Sequence, residues 1–96
     1  MPRKRVPYRV RARAAADLRE IWAYTVERWS EEQARDYIND IVRSFEALGV
    51  GSVQGRQIGD CFRLRVRRHF VFYDVTEGTI EIIRVLHQSM DSPRHL

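Results

Sequence analysis

Only one cysteine, Cys61, occurs in 96 residues. An internal disulfide is therefore excluded, as is any metal cluster built on cysteine pairs. A nucleophilic role would need a lowered thiol pKa; Cys61 instead leads into alternating strand residues and is read as small buried filler. Long apolar runs are also missing. A run such as Phe70 to Tyr73, matched in length elsewhere but not exceeded, falls far short of the ~20 residues that span a bilayer, so no membrane partner is expected. The basic stretch Met1 to Arg5 is followed by no apolar segment, so a signal peptide is not expected and the cytoplasm is the expected location. Gly51, Gly55 and Gly59 lack phosphate-loop spacing and a following Lys-Ser/Thr pair, which excludes that mode of nucleotide binding. Asp74, Glu77 and Glu81 sit at no metal-ligand spacing. No metal and no cofactor are expected.

Lysine is nearly absent too: sixteen of the seventeen cations are arginine. Arginine suits two-pronged contacts to carboxylate or phosphate, although GC-rich coding produces the same bias. The net charge is +4, unevenly spread. Between Ala14 and Leu48 there are eight acids and four bases, a balance of −4, and the remaining thirteen bases and five acids give +8. A basic part of this kind seeks phosphates or acidic protein segments. The length fits one domain, residues 1–96, because a second core has no room.

The chain has neither repeats nor low-complexity tracts. A short strand is expected at Tyr8 to Arg11. From Ala14 to Trp29, Leu18, Ile21, Trp22, Thr25, Val26 and Trp29 recur at helical spacing, and this stripe places both tryptophans in the core. Arg11, Ala12 and Arg13 offer no capping side chain, and Asp17 near the helix start is read as favourable to the dipole. Ser30 to Gln33 fits a capping box that opens a second helix. Its stripe runs through Ala34, Tyr37, Ile38, Ile41, Val42, Phe45 and Leu48, with Gly49 as the expected stop. The tight turn between them makes an antiparallel hairpin. A DNA-reading pair of helices fits poorly, because Glu31, Glu32, Asp36, Asp40 and Glu46 on the second helix repel phosphates. Gly49 to Asp60 is then expected as a loop.

Beyond it the period becomes two. Phe62, Leu64 and Val66 alternate with Arg63, Arg65 and Arg67, a half-buried strand with a basic outer face. Arg68-His69 turns into Phe70 to Val75, apolar on both sides and therefore central. Thr76 to Gly78 turns again into a strand from Ile80 to Leu86. The expected fold is α+β: an N-terminal antiparallel helix hairpin packed on one face of a small, mainly antiparallel β-sheet, with arginines on the other. Arg63, Arg65 and Arg67 form a row of roughly 13 Å, at about 3.3 Å per residue, that can track phosphates or an acidic peptide. Arg84 and His87 stand three apart, which on a continuous strand puts them on opposite faces; they converge only if the strand bends or ends. A histidine there can act as acid or base. His69, at a presumed turn, has the weaker claim.

The segments "ADLREIWAYTVERWSEEQARDYI" (16–38), the Gly55-Arg56 pair, "FRLRVRRHFVFYDV" (62–75) and "IIRVLHQSMDSPRHL" (82–96) together resemble ParE, a toxin family of type II toxin–antitoxin systems within the RelE/ParE superfamily. The resemblance implies a helix hairpin on an antiparallel sheet, a ParD-like antitoxin as partner, and DNA gyrase as a target disabled by binding rather than by catalysis. Nucleic acid is then engaged only indirectly, through those partners. We read Arg84, His87, Met90 and Asp91 as the target-binding surface, an adaptable apolar contact beside polar ones. An acidic and apolar antitoxin tail gains most by lying across Arg63, Arg65 and Arg67 and a groove between helix hairpin and sheet, with Trp22 in the same surface. RelE-type relatives instead cut messenger RNA, often with a tyrosine near the chain end. Here no tyrosine follows Tyr73, so that alternative would rest on His87 or His69, with Arg84 and Arg65 stabilising charge.

Overall fold

The computed structural model describes residues 5–90. Strand β1 (Tyr8–Val10) is followed by helices α1 (Ala12–Arg28) and α2 (Glu31–Val50), then by β2 (Arg56–Ile58), β3 (Cys61–Val66), β4 (His69–Thr76) and β5 (Thr79–His87). A 3-10 turn, Gln88–Met90, ends the described chain. The sheet order is β1-β5-β4-β3-β2, antiparallel except for the parallel pair β1–β5. β4 is thus the middle strand, as its two-sided apolar pattern requires.

Helix α1 starts at Arg11 without a side-chain cap, whereas Ser30 accepts the Gln33 amide at 3.0 Å to open α2. Only the serine half of the expected box forms; the Gln33 side chain lines a groove instead. The expected stop at Gly49 is wrong by two residues. The helix continues to Val50, and Gly51 takes the left-handed conformation, φ 75°, that closes it, since glycine enters that region without a Cβ clash. Gly49 has a different task. Its carbonyl accepts the Val6 amide at 2.8 Å, and a Cβ there would sit 2.6 Å from the Val6 carbonyl oxygen. The supposed loop after it is interrupted by β2, an edge strand whose pairing with β3 no local pattern announces.

The main core lies between hairpin and sheet. Ile41 and Phe45 from α2 meet Val71 from β4 and Ile80, Ile82 and Val85 from β5. Burial of each such side chain contributes about 1.5–3 kcal/mol. The outer sheet face differs from expectation. It carries a second apolar cluster of Cys61, Phe72 and Leu86, with Phe70 and Ile83 packed beside it, so arginines share that face with apolar side chains. Cys61 is buried there as filler, and burial pushes its thiol pKa up.

The stripe on α1 is also corrected. Ala14, Asp17 and Ile21 face inward, while Trp22 is 37% and Trp29 70% exposed. The buried line is therefore rotated toward Asp17, because the sheet supplies a cation that makes its burial tolerable. Among the described residues, no helix is long and apolar enough to cross a membrane.

Candidate functional site

The strands β4 and β5 pair residue by residue from Thr76–Thr79 down to Tyr73–Ile82, and then slip: Phe72 faces Arg84, leaving Ile83 as an extra residue. A bulge of this kind re-aims side chains. Ile83 joins the outer cluster, while Val85 packs into the helix-side core and the Arg84 guanidinium also reaches α1. Arg84 and His87 both follow the bulge in regular register, and the reach of the guanidinium to Asp17 on α1 brings Arg84 to the helix side, so that both line one groove.

That groove, of about 1070 Å³, runs between α1 and the start of α2 on one side and the open end of the β4–β5 hairpin on the other. Its inner anchor is Asp17, only 6% exposed. The carboxylate accepts from Arg84 Nε at 2.8 Å, from Arg84 Nη2 at 2.9 Å and from the Val85 amide at 2.9 Å. Such a shielded, two-pronged pair tolerates burial because its lone pairs are satisfied. Arg84 is consequently held as part of the groove wall.

The hairpin's open end carries paired histidines. His69 is not in a turn: it opens β4 and stands directly opposite His87 at the end of β5, rings 5.2 Å apart and edge to face. The turn residues are Arg67, with φ 53°, and Arg68. Tyr37 reaches over from α2. Its hydroxyl accepts the Arg68 amide at 3.1 Å and lies 2.7 Å from His69 Nδ1. The arrangement that satisfies both groups has the hydroxyl donating to Nδ1, which assigns the His69 proton to Nε2. His87 Nδ1 accepts the Ser89 amide at 3.1 Å, which places a ring proton on Nε2 there too. Burial, followed by the neighbouring His87, pushes the His69 pKa down to about 4; the ring is neutral at physiological pH.

Met90 lies exposed on the groove rim, and Asp91 falls outside the described residues. Among the other expected site residues, the row of three arginines does not survive. Arg63 lies over the Phe70 ring at 4.3 Å, and Arg65 donates to Gln88 at 2.9 Å. Arg67, displaced by the turn, pairs with Asp40 at 2.6 Å and stacks over Tyr37, and so belongs to the groove. Trp22 is exposed but does not line the groove. The trio named for RNA cleavage does not assemble either: Arg84 and His87 share the groove, and Arg65 lies outside it. Among the described residues, no group of three His, Cys, Asp or Glu could hold a metal ion.

Sequence reasoning missed Asp17, Tyr37 and His69 as groove residues. A signal existed for His69. Counting outward from the Glu77–Gly78 turn brings His69 level with Leu86, and the single-residue bulge moves its partner to His87.

With this geometry in view, likeness to known proteins becomes informative. Residues 8–92 match the family model described as the ParE toxin of the type II toxin–antitoxin system parDE. Toxin ParE1 of Caulobacter vibrioides is 43% identical over 95 residues, covering 94% of this chain and 97% of that protein. Toxin ParE1 of Mycobacterium tuberculosis is 40% identical over 88 residues, covering 86% and 90%. Among solved structures, a chromosomal ParDE system from P. aeruginosa superposes with a TM-score of 0.76 at 22% identity, over 88% of this chain and 97% of that one. The RelBE2 toxin–antitoxin complex of Mycobacterium tuberculosis gives 0.56 at 14% identity, over 86% and 98%. At those identities the structures speak for the fold: two helices against a mixed, mostly antiparallel five-stranded sheet. The chain belongs to the ParE family of toxins of type II toxin–antitoxin systems.

Proposed function

We propose that this chain disables DNA gyrase by binding to it, without breaking bonds itself, and that a ParD-like antitoxin neutralises it in the cytoplasm. The observation that carries this reading is the open end of the hairpin. There an exposed Met90 and a half-buried His87 stand beside a groove whose wall is fixed by the Asp17–Arg84 pair. An adaptable apolar contact next to polar donors on a rigid wall is the make-up of a protein-binding surface. His87 and Met90 are the side chains that contact the target, together with Asp91 beyond the described residues. Arg84 acts through its pairing with Asp17, by holding β5 in place.

A second reading, an RNA endonuclease of the RelE type, draws on one observation: the two imidazoles that face each other beside Arg68. Purified chain added to a gyrase supercoiling reaction and, in parallel, to a translation extract separates the two. Trapped double-strand breaks with intact mRNA are expected. Cleaved mRNA that disappears in His87→Ala, with supercoiling untouched, would establish the second reading. A chain that does neither is a non-toxic relative.

A further inference from the structure

Arg63, Arg65 and Arg67 are occupied within the chain, by Phe70, Gln88 and Asp40. The groove offers donors of another kind. Its sheet wall presents Arg67, Arg68, His69, Arg84 and His87 with no acid among them. Its helix wall presents Asp17, already paired with Arg84, then Glu20, Asp36 and Arg28 beside the rings of Tyr24 and Trp29. Because Tyr37 and Ser89 occupy the two Nδ1 atoms, each imidazole shows an Nε2–H. Among the described residues, neither Nε2 nor the Arg68 guanidinium has a hydrogen-bond or ion-pair partner.

We propose that this groove is the seat of an acidic, apolar peptide segment of the antitoxin, one of whose carboxylates is received by the Nε2–H groups of His69 and His87 together with Arg68. The inference rests on the reading that an antitoxin neutralises the chain. Three features select the occupant. Donors on the sheet wall ask for an acceptor, and charge-assisted hydrogen bonds from Arg68 favour an ionised one. The neighbouring Tyr24, Trp29 and Met90, all exposed, match apolar residues on either side of that acid. Glu20 and Asp36 across the groove oppose a nucleic-acid strand, which brings a negative charge at every nucleotide. With His69 neutral and Nδ1 locked by Tyr37, the imidazoles serve here as fixed donors, not as metal ligands, which would need an unprotonated Nε2. A segment seated there covers His87 and Met90. Antitoxin and target then compete for the same side chains, and neutralisation is direct masking.

The test is calorimetric titration of the full chain with a full-length ParD-like antitoxin. Compared with wild type are Arg68→Gln, His87→Gln and, on the outer face, the double variant Arg63→Glu/Arg65→Glu. Thermal melts establish that each is folded. Arg68→Gln and His87→Gln are each expected to weaken binding by roughly tenfold, the scale of one charged hydrogen bond, while the outer-face variant binds as wild type. Full affinity in both groove variants, with loss confined to Arg63→Glu/Arg65→Glu, would overturn the groove assignment and leave the antitoxin reading standing. No binding to wild type would overturn both. A parallel NMR titration follows the His69 and His87 ring protons; they should move with antitoxin and stay still with an oligothymidylate. Larger movement with the oligothymidylate would also overturn the proposal.

Discussion

The two ends of the β4–β5 hairpin are built by different rules. At the closed end, Glu77 and Gly78 take φ values of 51° and 73°, and the strands leave the turn in simple one-to-one register. Two central residues with positive φ match the right-handed twist of the strands they join, so local chemistry is enough. At the open end the register slips at Ile83, and α1 and α2 each send in a side chain, Asp17 and Tyr37, to hold what the slip has re-aimed. The closed end is specified by neighbours in sequence, and the open end by residues dozens of positions away. The end that carries the groove is therefore the one that depends most on the rest of the fold.

Four measurements would sharpen or break this contrast. The largest effect is expected from Asp17→Ala, which strands the shielded Arg84 guanidinium and the Val85 amide. Urea unfolding should show a loss of about 3–5 kcal/mol. Asp74→Ala, whose carboxylate bonds only the next amide in the exposed upper part of β4, should cost less than about 0.5 kcal/mol. Equal losses would abolish the distinction.

Acid comes next. The folded His69 pKa is depressed to about 4 from an ordinary value of 6.5, so the folded state binds fewer protons than the unfolded chain in that interval. Its contribution is fully present above pH 6.5 and is lost as pH falls toward 4. Midpoints of unfolding measured across this window should fall, and His69→Gln should flatten the slope. A slope unchanged in that variant would remove His69 from the account.

At the closed end, Gly78→Ala meets no neighbouring atom but must adopt φ 73°; a loss of about 1–2 kcal/mol is expected from backbone strain alone, with antitoxin affinity unaltered. Among the groove residues, the smallest change should come from Tyr37→Phe. It deletes the hydroxyl between the Arg68 amide and His69, costing about 1 kcal/mol. Its sharper readout is the His69 ring-proton signal, which should shift when the Nδ1 partner is removed.

Much of the architecture was legible from the chain. Helical spacing located both helices, Ser30 marked the start of α2, and the change to a period of two located β3, β4 and β5, with β4 correctly central. Short elements were harder. β2 is three residues long and owes its extended form to pairing with β3, and Gly49 resembled a helix stop when its lack of a side chain instead admits Val6. The tryptophans misled because apolar spacing alone does not show which side of a helix is covered. Asp17, one turn from Ile21, occupies the inner face, since Arg84 waits there to neutralise it.

Sequence by itself settled every element but β2, their order and the membership in a toxin family, because hydrophobic period, capping and turn chemistry act over a few residues. Only the tertiary structure decided that Arg84 and His87 share a groove, that Arg67 leaves its row for Asp40, and that Tyr37, His69 and His87 meet. The physical reason is that each meeting is made by a helix side chain reaching the sheet, Asp17 to Arg84, Asp40 to Arg67 and Tyr37 to His69. Such partners lie dozens of positions away along the chain, where no local period or turn signal reports them.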